Sequence, residues 1–383
     1  MTNFDENLIK ITEYKVLGKL PDLFAKENGE RISKKEEWEE QRKRLYKTAI
    51  EFQYGKQPPK PEFVEVEPLY VSNFAKTYRV KTGRRDFPVS FTMRIVAPDK
   101  WERFPVVIDG DMCFNYYMDK EYTETFTNED IALVMFNRVE LVCDCGGKDG
   151  RPVGPLCDCY PEYDFGALGA WAWGYSRCVD ALEIIDRFDL SCITFTGHSR
   201  GAKAAIIAGA LDERAHIVNP NATCAGGCSC YRVHMKAITE DGEEKESETL
   251  KLYFRYFKHW MGTDMFGYED KEEELPFDAH FLKAMVAPRI LFVSEAASDI
   301  WANPVGSWQT TMAASEAWKF LDVPENFYWY FRRGYHWHAI EDIKMLVNII
   351  KHKTEGRPLS ENFYKLPFKA PELIYDWRAP EKK

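Results

Sequence analysis

Apolar residues recur along this chain in short runs whose period changes from one run to the next. Val89-Ser90-Phe91-Thr92-Met93-Arg94-Ile95-Val96 alternates apolar with polar, which predicts a strand buried on one face. Residues 104–108, 131–136, 191–196, 289–294 and 327–331 are apolar and β-branched or aromatic without alternation, as strands covered on both faces are. Residues 202–211 are rich in Ala and Ile and contain no Pro, which predicts a helix, and 340–352 reads as another. Strands alternating with helices predict an α/β fold with a mostly parallel central sheet and helices on both faces.

The pattern breaks twice. Residues 1–60 form a polar, partly helical leading segment that ends in Gln57-Pro58-Pro59-Lys60-Pro61, a stiff connector. Residues 229–281 form an aromatic and acidic stretch with Tyr253-Phe254-Arg255-Tyr256-Phe257-Lys258-His259-Trp260 at its centre. With no repeat and no low-complexity run, residues 1–383 are expected to form one domain, with 229–281 as an insertion walling the site.

The chemistry concentrates at Gly197-His198-Ser199-Arg200-Gly201, between the strand 191–196 and the helix 202–211. A sharp strand-to-helix turn needs glycine around its central residue, and it lifts a serine hydroxyl out of the sheet beside the helix N-terminus. A serine hydroxyl needs a base, and the base an orienting acid. In an α/β-hydrolase fold the chain order is Ser, acid after a late strand, then His. Of eight histidines, His336 follows the strand 327–331 and is the expected base; His338 is its neighbour. His198 is expected to turn away from the chemistry. Asp299, beyond the strand 289–294, is the first choice of acid, and Glu295 the alternative.

These residues sit among longer motifs. Phe165-Gly166-Ala167-Leu168-Gly169-Ala170-Trp171-Ala172-Trp173-Gly174-Tyr175-Ser176-Arg177 resembles the helix before the nucleophile strand of glucuronoyl esterases, carbohydrate esterases that cleave esters between glucuronic acid and lignin alcohols. Gly197 to Lys203 is similar to their Gly-Cys-Ser-Arg-x-Gly-Lys, with His198 for Cys and Ala202 for the second Gly. Asp299-Ile300-Trp301-Ala302-Asn303-Pro304 resembles the bacterial Asp-x-Trp-Ala-Asp-Pro pattern. The fungal acid, a Glu within Gln-Glu-Ser-Gly, is missing from Pro220-Asn221-Ala222-Thr223, which favours Asp299 and the bacterial branch.

The resemblance implies hydrolysis of a carbohydrate ester, with Ser199, His336 and Asp299 as the triad and no cofactor. It implies that Arg200 serves the oxyanion by N–H and side chain, and that Lys203 contacts sugar hydroxyls. Without the resemblance, Lys203 reads rather as a snorkelling lysine and Arg200 as a surface arginine. Cations in the first turn of a helix oppose its dipole, so both call for a reason. Trp260, Trp301 and Trp308 are candidates for stacking on sugar or lignin-like rings, each with core packing as its plain alternative. A sugar O-acetyl esterase, or a silent hydrolase-fold binding protein, is the competing reading.

Composition narrows the partners. A net charge of −10 without a basic aromatic patch disfavours nucleic acid. No apolar run reaches the 18 or more residues of a membrane span, so neither a nucleic-acid nor a membrane partner is expected. Residues 1–6 lack a basic n-region and apolar h-region, so a cytoplasmic location is expected, or a secreted one if a leader was removed. The ten cysteines then read as reduced thiols. Cys143-x-Cys145 with Cys157-x-Cys159 invites a zinc reading, but structural zinc pairs usually stand two or more residues apart, so no metal is expected.

Overall fold

The five apolar runs and the segment Ile217–Asn221, which does not read as one, pair in parallel through the middle of one sheet. The computed structural model describes residues 7–73, 75–100, 102–114 and 119–381; residues 1–6, read above for a leader, lie outside them. The strands in chain order are β1 (Lys10–Val16), β2 (Phe63–Val71), β3 (Ala75–Gly83), β4 (Pro88–Val96), β5 (Pro105–Asp109) and β6 (Ala132–Phe136). They continue with β7 (Asp189–His198), β8 (Ile217–Asn221), β9 (Val233–Ile238), β10 (Glu244–Glu246), β11 (Ile290–Ala296) and β12 (Phe327–Arg332). Among the described residues the large sheet runs β12-β11-β8-β7-β5-β6-β4-β3-β2. Neighbours are parallel from β12 to β6 and antiparallel from β6 through β4 and β3 to β2.

Strand alternation sends side chains to two separate cores. Val106, Ile108, Val134, Phe136, Ile193 and Phe195 pack with the helices Ala167–Ile185 and Arg200–Leu211 on one face. Val107, Leu133, Met135, Cys192, Ile217 and Phe292 pack with the helix Ile340–Glu355 on the other. This is the expected α/β-hydrolase arrangement. The two-faced burial explains why these strands read as continuous apolar runs.

The Trp-rich motif is the long helix Ala167–Ile185. Trp171 Nε1 donates to the Val142 carbonyl at 2.8 Å and Trp173 Nε1 to Pro59 at 2.8 Å. Tyr175 donates its hydroxyl proton to the Thr196 carbonyl at 2.8 Å and accepts from the Gly110 N–H at 3.0 Å, tying β5 to β7 just below the Ser199 turn.

One expectation needs correction. Residues 1–60 are more than a polar leader, since β1 pairs antiparallel with β9, which pairs with β10, in a second, three-stranded sheet. The same segment buries Leu23, Phe24, Ile32, Trp38, Leu45, Ile50 and Tyr54 in the main core. Those apolar residues are scattered among Glu and Lys, so average composition concealed them. The leading segment and the insertion 229–281 thus support each other.

Candidate active site

Three loops at the carboxyl ends of β7, β11 and β12 converge, where an open α/β sheet places its ligands. Ser199 closes β7 with φ 55° and ψ −118°, in the left-handed region rarely used by a side-chain-bearing residue. The turn is affordable only because its flanks are bare. A Cβ on Gly197 would stand 2.7 Å from the Gly201 carbonyl carbon, and one on Gly201 would collide with the Asp111 carboxylate. Asp111 accepts the His198 N–H at 2.7 Å and pairs with buried Arg138, bracing the turn from β5. Arg200 opens the helix Arg200–Leu211, so its backbone N–H has no partner within the helix and is available at the serine.

His336 Nε2 lies 2.9 Å from Ser199 Oγ, and His336 Nδ1 lies 2.5 Å from Asp299 Oδ2. Asp299 is buried, and its Oδ1 also accepts the Ala302 N–H at 3.3 Å. The loop carrying His336 is fixed by Arg332 at the end of β12. That guanidinium pairs with buried Asp342 at 2.8 Å and donates to the carbonyls of Arg333 (2.9 Å), Tyr335 (3.2 Å) and Trp337 (2.5 Å). Asn303 fixes the acid loop, because its Oδ1 caps the following helix at Gly306 N (2.9 Å) while Nδ2 donates to the Val233 carbonyl (2.7 Å). An Asp there could perform the first task but not the second.

Glu295, the alternative acid, is not at the site. It is fully buried on β11, accepts the Ser307 hydroxyl at 2.7 Å, and makes no hydrogen bond to His336. Side chains alternate along a strand, and position 295 points into the sheet's flank rather than out of its end. Burial pushes its carboxyl up to about 8, against the lowering influence of Ser307 and Lys283. A raised pKa means that the folded protein keeps a proton which the unfolded chain, near the ordinary carboxylate value, gives up. The resulting stability is complete below about pH 4.5 and is lost as pH rises through about 8. Glu295→Gln is therefore expected to flatten the fall of Tm between pH 5 and 8, measured by thermal unfolding beside the wild type. Parallel curves would show Glu295 to be ionised in the fold.

Arg200 and Lys203 are both covered by the insertion. The Arg200 guanidinium lies 5.0 Å from the Trp260 ring centroid and 5.5 Å from that of Phe257, and its Nη1 donates to Asp144 Oδ2 at 2.6 Å. The Lys203 ammonium is 4.8 Å from the rings of Tyr253 and Trp260 and 3.7 Å from Glu248 Oε2. It is buried, so the snorkelling alternative does not hold. Burial raises the Glu248 carboxyl above the usual range, and the charge of Lys203 draws it back.

The tryptophans divide. Trp260 is buried, stacks on Phe257 at 4.1 Å, and donates from Nε1 to Asp144 at 2.8 Å, so it holds the two cations and has no open face for a sugar ring. Trp308 is buried in a core with Leu8, Ile9 and Met235 and is corrected to a packing residue. Trp301 is half-buried in the short turn after Asp299, and its carbonyl accepts the Glu248 N–H at 3.0 Å.

His198 also departs from expectation. Its ring lies 4.7 Å from that of His336 and stacks on His338 at 5.6 Å, with Nδ1 2.7 Å from Asn221 Oδ1. Burial, then the neighbouring imidazoles, hold it well below the ordinary histidine range. Because Asn221 Nδ2 donates to Ser294 Oγ at 2.9 Å, its Oδ1 faces His198 as an acceptor. His198 is therefore a neutral imidazole with its proton on Nδ1. Among the described residues no three His, Cys, Asp or Glu side chains gather as a metal ion would require. Cys143 and Cys145 are exposed free thiols, Cys157 is half-buried and Cys159 is buried.

The fold and this arrangement define an α/β-hydrolase with a serine, histidine and aspartate in hydrogen-bonded series. The profile of the family described as "Glucuronyl esterase, fungi" matches residues 80–322. The chain is similar to the 4-O-methyl-glucuronoyl methylesterase of Podospora anserina, 28% identical over 82% of this chain and 62% of that one. The enzyme of the same name from Hypocrea jecorina is 27% identical over 94% of this chain and 76% of its own length. The chain thus spans less than two thirds of the Podospora enzyme. Among solved structures, a carbohydrate esterase family 15 glucuronoyl esterase from Caldicellulosiruptor kristjansonii superposes with a TM-score of 0.84 at 26% identity, covering 95% of this chain and 98% of that one. This chain belongs to the glucuronyl esterase family.

Proposed function

We propose that this chain is a serine esterase that hydrolyses a glucuronoyl ester. The observation that carries the reading is the series Asp299–His336–Ser199 at hydrogen-bond distances, ending beside the N-terminus of a helix that opens with Arg200. Its acyl half is supported by the names of the relatives, 4-O-methyl-glucuronoyl methylesterases, and by the built-in pair of cations, Arg200 and Lys203.

His336 Nε2 takes the Ser199 proton as Oγ attacks the ester carbonyl carbon. The carbonyl oxygen gains the negative charge and is met by the Arg200 N–H and guanidinium. Collapse expels the alcohol, which leaves with the proton from His336, and the acyl group remains on Ser199. Water then repeats the sequence with His336 as base, releasing the uronic acid and restoring the serine. Asp299 keeps the Nδ1 proton of His336 in place and stabilises the imidazolium. Lys203, with Glu248, meets the sugar hydroxyls at the acyl side.

The test is the wild-type rate on benzyl or methyl glucuronate beside an acetylated sugar. Cleavage of the glucuronate ester with little release of acetate is the expected result. Acetate release alone would keep the mechanism and transfer the substrate class to sugar O-acetyl esters.

A further inference from the structure

The carboxylate of Asp144 stands outside the triad but gathers three side chains, one of them that of Arg200, the residue after the nucleophile. Its Oδ2 accepts from Arg200 Nη1 at 2.6 Å, and its Oδ1 accepts from Trp260 Nε1 at 2.8 Å with His259 Nε2 at 3.4 Å. These partners come from two separate parts of the chain, the nucleophile helix and the insertion. Burial alone would raise the Asp144 carboxyl, but the hydrogen bonds from His259 and Arg200, and the guanidinium charge, hold it well below the usual carboxylate range. It is thus an anion at every working pH.

We propose that Asp144 is a positioning residue for this enzyme, holding the Arg200 guanidinium in the orientation that meets the oxyanion. The inference rests on the esterase reading above. An arginine side chain has many rotamers, and catalysis by a fixed donor requires that it be in place before charge develops. Asp144 takes one of the five guanidinium donors, and the guanidinium lies beside the stacked rings of Trp260 and Phe257, 5.0 and 5.5 Å from their centroids, which limits where it can swing. The remaining donors can turn to the oxyanion, and the guanidinium stays charged throughout. A carboxylate fixed to both the insertion's indole and the arginine also makes the correct seating of the insertion a condition for an ordered oxyanion site.

A plainer role, docking of the insertion alone, makes a different prediction, and a double-mutant cycle separates the two. Asp144→Ala, Asp144→Asn, Arg200→Ala and the Asp144→Ala/Arg200→Ala pair would be assayed for kcat and KM on benzyl glucuronate, with thermal unfolding alongside. Asp144→Ala is expected to lower kcat about 10- to 100-fold with KM within about twofold, the pattern of an interaction made only in the transition state. Asp144→Asn, which keeps an acceptor, is expected to lie between it and the wild type. In the Arg200→Ala background the further loss of Asp144 is expected to change kcat less than about twofold. An unchanged kcat in Asp144→Ala, or an equal loss in both backgrounds, would overturn the proposal. The same cycle read as the rate of Ser199 phosphorylation by diethyl 4-nitrophenyl phosphate probes the oxyanion position without any sugar. A chain that ignores glucuronate esters but shows the coupling there would refute the substrate and retain the role of Asp144.

Discussion

Ser199→Ala is expected to lower kcat on a glucuronate ester by about 10^6-fold, the scale seen when a triad serine is removed. The substitution deletes one oxygen and leaves the Cβ, so the φ of 55° at this turn is no more strained for Ala than for Ser. The Gly197–Gly201 contact and the Asp111 bond to the His198 N–H do not involve the hydroxyl. Thermal stability and KM should therefore stay near the wild-type values while turnover disappears. Steady-state rates with substrate in large excess, and melting curves on the same preparations, would check this. A variant within tenfold of wild type would mean that another group, or water activated directly by His336, attacks the ester.

Asp299→Asn is expected to cost about 10^4 in kcat, and the reason is geometric. The Asn carbonyl would keep the bond from the Ala302 N–H, which turns the amide nitrogen toward His336. A donor facing Nδ1 forces the proton onto Nε2, and the imidazole can then no longer accept the Ser199 proton. Glu295→Gln is the matched control, since Glu295 bonds to Ser307 rather than to the base, and its kcat should stay within about twofold of wild type. Measuring both variants on one ester discriminates the two carboxylates. Equal losses would mean that the acid loop is rearranged when substrate binds.

Much of the site was legible before the structure because its determinants are local. Gly197 and Gly201 announce a tight turn at Ser199, and the α/β-hydrolase chain order points to His336 and to the loop that carries both Asp299 and Glu295. Asp144 was not legible. It lies between two cysteines, which drew the reading to thiols, and nothing near it in sequence indicates that its carboxylate meets Arg200, 56 residues away. The same holds for Glu248 and Lys203, whose pairing exists only because the insertion folds over the nucleophile helix.

His198 marks the boundary between the two kinds of information. Its neighbours in sequence are a glycine and the serine, and a tight turn suggested that it would point elsewhere. Only the return of β12 beside β11 brings His336 and His338 against its ring, while Asn221 at the end of β8 selects its proton.

By itself, the amino-acid sequence determined the alternation of strands and helices, the strained serine turn and the order Ser, Asp, His, because periodicity, glycine and chain order act over a few residues at a time. The tertiary structure alone decided which charges neutralise one another, which tryptophans are filled in by packing, and which carboxylate reaches the base. Those outcomes depend on side chains brought together from distant parts of the chain, where angstrom distances and burial, rather than residue type, set the energy.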